Sequence, residues 1–134
     1  MKPFAMTSSM LTIRGVFYPT GYLFVMLPSI ADAEKLDRDL LASGFNGDEP
    51  MLVTPENILG EIRHTVRDDA NPFPSAGTEG ATVLRYEELA RQGHCAVMIH
   101  APSEKETQQV MDAVHKSPFS FAEKYRRLVI EDMS

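Results

Sequence analysis

Residues Gly93 to Phe119, GHCAVMIHAPSEKETQQVMDAVHKSPF, are a second writing of Gly21 to Phe45, GYLFVMLPSIADAEKLDRDLLASGF. Gly21, Val25 and Met26 fall on Gly93, Val97 and Met98 at a constant offset. After a short insertion, Leu36, Leu40, Ser43 and Phe45 fall on Val110, Val114, Ser117 and Phe119. Each copy is an apolar run, a turn and a helical pattern closed by Gly or Pro and an aromatic. A strand-like segment follows each, Pro50 to Thr54 and Tyr125 to Glu131. Two strand–helix–strand units in tandem predict an α+β fold with a ferredoxin-like βαββαβ sheet. An open three-layer α/β arrangement is the rival.

The rest of the chain is arranged around these copies. Residues 1–134 read as a single domain, long enough for a core without staples. Met1 to Met10 reads as a flexible tail, so that Met6 or Met10 as the start would leave the fold intact. Leu11 to Tyr18 reads as an extra N-terminal strand, and Pro19-Thr20-Gly21 as a turn. In the first copy Ser29 or Asp32 caps a helix with Ala33, Leu36 and Leu40 on its buried stripe, and Gly44 ends it. Two helices are inserted between the second and third strands. One opens at Thr54-Pro55-Glu56 with a stripe of Ile58, Ile62 and Val66; the other runs from Ala81 to Gln92. Between them Asp68 to Gly80, DDANPFPSAGTEG, is the longest loop. Ser103-x-x-Glu106 is a capping box, and Ser120-x-x-Glu123 predicts one more helical turn.

Composition excludes several classes. With 43% apolar and 24% charged residues the chain is an ordinary globular one. A net charge of −6 argues against nucleic-acid binding, which calls for a basic face. The cluster Lys116, Lys124, Arg126 and Arg127 is diluted by Glu123, Glu131 and Asp132, and reads as a solvated edge. One cysteine, the absence of a signal-like segment and the lack of a long apolar run predict a cytoplasmic protein away from the membrane.

Strand alternation sorts the two central runs. Leu23, Val25, Leu27, Cys95, Val97 and Ile99 form an aliphatic face to lie under helices. Tyr22, Phe24, Met26, His94, Met98 and His100 form the other, which with helices on one side only would stand bare. Three covers are open: a second copy in a homodimer, a small apolar ligand, or the chain's own N-terminal strand and inserted helices. The expectation places the ligand site or interface on these six residues.

No catalytic set, metal site or cofactor is expected. His94 and His100 share a face but stand six residues apart, about 20 Å along a strand, too far for one metal. His64 and His115 lie on helical patterns where surface histidine is routine. Cys95 points to the aliphatic face as a small hydrophobe, away from His94. Gly77-Thr78-Glu79-Gly80 lacks the spacing of a phosphate loop, and Asp68 and Asp69 read as solvated. The pair Tyr22 and Phe24 lacks the partner aromatics of an RNA-binding sheet.

The segment Tyr86-x-x-Leu89-Ala90-x-x-Gly93-x-x-Ala96-Val97-Met98, followed by an acidic helix, resembles the helix-to-strand passage of small bacterial general-stress-type domains. Asp32-Ala33-Glu34 and the closing Gly44-Phe45 resemble their opening half, so the likeness spans Tyr22 to Phe45 and Tyr86 to Val114. The Asn71-to-Gly80 loop and the ending Arg127 to Asp132 lie outside it. The resemblance implies a non-catalytic bacterial protein, and no active-site residues carry over. The expectation is therefore a non-enzymatic protein acting through homodimerisation or partner docking, in a stress-related role. The alternative is a binder of a small apolar ligand, or a minor enzyme. It would use His94, His100 and Tyr22 as polar groups and the Asp68–Gly80 loop as a lid.

Overall fold

The computed structural model describes residues 1–66, 79–127 and 129–134. Six strands form one mixed sheet: β1 (Lys2–Pro3), β2 (Tyr22–Leu27), β3 (Met51–Val53), β4 (Cys95–His100), β5 (Phe121–Tyr125) and β6 (Ile130–Asp132). Their order across the sheet is β1-β3-β4-β2-β5-β6. Only the β1–β3 pair is parallel. The helices are α1 (Ile30–Ala42), α2 (Pro55–Asn57), α3 (Glu79–Arg91) and α4 (Glu104–Val114). The fold is α+β.

The duplicated units behave alike. The N-terminus of α1 is capped by Ser29, whose hydroxyl accepts from the Asp32 amide at 3.2 Å. On α4 Ser103 and Glu106 close a reciprocal capping box. Gly44 takes a φ of 84° just past α1, where only glycine is unstrained. Both helices lay their apolar stripes on the aliphatic sheet face. Leu23, Val25, Leu27, Cys95, Val97 and Ile99 are sealed there beneath Leu36, Leu40, Val110 and Val114.

The opposite face is also covered, by the chain itself. Thr54 and Asn57 cap α2, which widens into a π-turn over Ile58–Ile62 and tightens to a 3-10 turn over Arg63–Thr65. Ile58 and Ile62 are fully buried, while Val66, already in extended backbone, is half-buried. From α3, Val83, Tyr86 and Ala90 reach the same layer. Phe4, Met10 and Phe17 complete it from the N-terminal segment.

Four expectations are corrected. Residues 1–10 are not a tail: Lys2 and Pro3 pair with Met51 and Leu52, and Phe4 and Met10 are buried. A start at Met10 would strip Phe4 from the core, so neither the edge strand nor the layer would survive intact. Leu11 to Tyr18 is no strand. A single Leu11–Phe17 bridge closes a tight turn through Gly15 at φ 82°, because the Thr12 hydroxyl and carbonyl capture the Val16 and Gly15 amides. The last strand is two, and Ser120 to Glu123 is not a helical turn. The segment 121–125 pairs with β2, whose outer edge would otherwise carry unsatisfied backbone groups in the core.

Candidate functional site

The six residues assigned to the second face separate into an interior and two ends. Phe24, Met26 and Met98 are 0% exposed, packed beneath Tyr86, Ile58 and Phe17, so these three offer no surface to a partner or ligand. Of the three covers open for this face, the chain's own elements are the one found. The insertion between β3 and β4 and the N-terminal segment supply the second layer. His94, just before β4, bonds Ser120 Oγ at 2.9 Å at one end of the sheet. Tyr22 and His100 stand together at the other, directly opposite in the β2–β4 register.

That second end is a built cluster. The Tyr22 and His100 rings lie 4.9 Å apart between centroids, tilted by 50°. Asp48, from the loop after α1, places Oδ2 3.2 Å from His100 Nδ1. Gly21, at φ 87°, passes so close that a Cβ there would sit 3.4 Å from His100 Nε2. The carboxylate, ring and glycine thus fix the imidazole on three sides, and its side chain stays 35% exposed. Burial, with Asp48 adding, raises the Tyr22 phenol above its ordinary value. Asp48 also borders a cleft of about 300 Å³ whose walls include Leu40, Leu41, Phe45, Asp37 and Glu49. The tilted ring pair and the carboxylate-oriented imidazole adjoin an apolar cleft whose Asp37 and Glu49 carboxylates hold the Met1 ammonium at 3.4 and 3.0 Å, an arrangement suited to a cation on an apolar stem.

The other candidates are structural. Cys95 is buried, its Sγ facing the Ser29 carbonyl at 3.4 Å, and burial pushes the thiol up to about 11. A thiol so held is a poor nucleophile. His64 and His115 are exposed. Among the described residues no three His, Cys, Asp or Glu side chains converge as metal ligands, and no helix is long and apolar enough to cross a membrane. Asp68, Asp69 and residues 77 and 78 of the glycine-rich stretch lie outside the described residues, as does most of the proposed lid.

Two of the charged groups expected in a solvated edge, Glu123 and Lys124, are buried in the sheet. Lys124 is 2% exposed; its Nζ donates to the Ala101 carbonyl and to Thr107 Oγ1. Arg126 does lie outside, paired with Glu104 and Glu131. Glu123, 7% exposed, is held up to about 7 by burial, with Asp132 raising it and Arg85 opposing. Beside it the Tyr86 and Tyr125 hydroxyls bond each other at 2.9 Å in full burial. The signal available was the alternation in FAEKY, which puts Glu123 and Lys124 on opposite faces of one strand. No protein-family model matches the chain, nor does any curated protein or solved structure.

Proposed function

We propose that this is a non-enzymatic binding protein that docks a basic segment of a partner protein at the Tyr22–His100–Asp48 end of the sheet. The observation behind the reading is that Asp48 belongs to two features at once. It orients His100 beside Tyr22, and it forms one rim of the cleft with Asp37 and Glu49. Asp37 and Glu49 already hold the Met1 ammonium at 3.4 and 3.0 Å, so a lysine or arginine with an apolar neighbour would stack its stem on Leu41, which is 68% exposed, and direct its charge to Asp48. The acidic balance of the chain, −6, favours the same partner.

The proposal includes a ferredoxin-like core. In support, the inner four strands run β3-β4-β2-β5, all antiparallel, with α1 and α4 on one face. The outer strands β1 and β6 and the helices between β3 and β4 are additions to that plan. The likeness to general-stress-type domains suggests stress adaptation as the setting.

The test is chemical-shift mapping of the labelled protein with a short Lys-Leu peptide, beside native mass spectrometry of the protein alone. Shifts confined to Tyr22, His100, Asp48 and Leu41, weakened by Asp48→Asn, support the reading. Shifts scattered over the surface, or none, overturn it. A dimer in the mass spectrum whose contacts map to this same end would make a second copy the partner instead.

A further inference from the structure

We propose that Glu123 and Asp132, paired across β5 and β6, form a proton-operated latch that holds the C-terminal edge strand closed while Glu123 is neutral. The geometry starts from the register. Glu123 sits opposite Asp132 on one side and opposite Phe24 on the other. Alternation puts it on the same face as Phe121 and Tyr125, which are both buried. Over that face lies Tyr86, stacked on Phe24 at 4.1 Å and 6.0 Å from the Phe121 ring.

Glu123, 7% exposed, thus shares its face with Phe121 and Tyr125 and stands in register with Phe24, and among the described residues no hydrogen bond reaches its carboxyl. The charged groups that face it are Asp132 from β6 and Arg85 from α3; the titratable ones are Tyr86 from α3 and Tyr125 from its own strand. Further off, Glu79 at the start of α3 and Tyr18 act on Tyr125. Arg85 is already engaged, its guanidinium 3.8 Å above the centre of the Phe121 ring. Asp132 is held ionised by hydrogen bonds from Ser134, with Arg85 adding. A proton arriving at the pair therefore goes to Glu123, and its loss leaves two like charges facing across the ladder.

β6 is the element suited to respond. It has three residues at the outer edge of the sheet, pairs only with β5, and buries only Ile130. Such an edge opens at far lower free energy than the core. Opening β6 takes away Asp132 and that strand's shielding but leaves the β2 and α3 side of the site in place, so Glu123 holds its proton more tightly in the closed strand pair than in the open one. Closure is thus favoured on the acid side, and loses that advantage as pH climbs through about 7.

Amide exchange on the full chain tests this, corrected for intrinsic rates. The reporters are Met133, whose N–H bonds the Ala122 carbonyl, and Arg126, whose N–H bonds that of Val129. Protection at both should fall about tenfold or more between pH 5.5 and pH 8, about one unit or more of linked proton affinity. Glu123→Gln should keep the acid-side protection throughout. Asp132→Asn should move the transition to lower pH. Protection independent of pH in the wild type, or an undiminished fall in Glu123→Gln, overturns the latch. An unmoved midpoint in Asp132→Asn overturns the pairing.

Discussion

Tyr86 lies on Phe24 with ring centroids 4.1 Å apart and planes 18° from parallel, so a residue of the inserted helix α3 caps the central strand β2. The contact turns a face that alternation leaves open into interior. Phe24→Asp would then bury an unpaired charge rather than break an interface, and should leave the chain unfolded at neutral pH. Tyr86→Ala should cost about 3–5 kcal/mol in urea denaturation. A folded Phe24→Asp protein with an unchanged midpoint would show that the second layer is not a core.

Gly21→Ala should disturb both backbone and site. The left-handed φ of 87° disfavours any side chain, and the new Cβ would touch His100 in ordinary contact at 3.4 Å. We expect a loss of about 1 kcal/mol or more. The imidazole signals of His100 should shift while those of His64 and His115 stay in place. Unchanged stability would mean the turn relaxes freely.

Cys95 should be inert in the native protein. With the thiol raised by burial and 0% exposed, labelling by a disulfide reagent at pH 8 should follow unfolding, and accelerate with urea. Rapid labelling without denaturant would contradict the packing of α1 over β4.

Lys124→Met should leave stability equal or higher at pH 7, since an aliphatic of similar length replaces a charge drawn out of water. After the change the one Thr107 hydroxyl proton is shared between the Ser103 carbonyl at 2.8 Å and the Ala101 carbonyl at 3.1 Å. Burial lowers the Lys124 value in the fold, so the unfolded chain holds that proton more tightly. Wild-type stability therefore gains a rising contribution between the lowered value and the ordinary one, which the methionine variant lacks. In thermal melts the wild-type midpoint should therefore rise relative to that of the methionine variant between pH 7 and pH 10. Parallel melts would place the ammonium in solvent.

Much of the local structure was written in short-range patterns. Ser29, Thr54 and Ser103 marked helix starts because a hydroxyl before an acid or amide three residues on satisfies orphan amides wherever the helix lies. The face occupied by Cys95 followed from alternation alone. Of the site, Tyr22 and His100 were legible as members of one face. Their adjacency was not, because it depends on an antiparallel register that brings position 22 opposite position 100. Asp48 carried no signal at all, since a loop carboxylate beside glycine is ordinary until a ring meets it.

By itself, then, the sequence determined the duplicated strand–helix units, the helix caps and the partition of each central strand into two faces. All three are set by dihedral preference and by a period of side-chain direction, which act within a few residues. Tertiary structure alone decided that Phe4, Phe17 and Tyr86 would cover the second face, and that β5 rather than a helical turn would follow α4. It also decided that Glu123 and Lys124 would be buried. Those outcomes turn on which apolar surfaces and unpaired strand edges meet across the fold, and desolvation and hydrogen-bond satisfaction are settled only where distant segments touch.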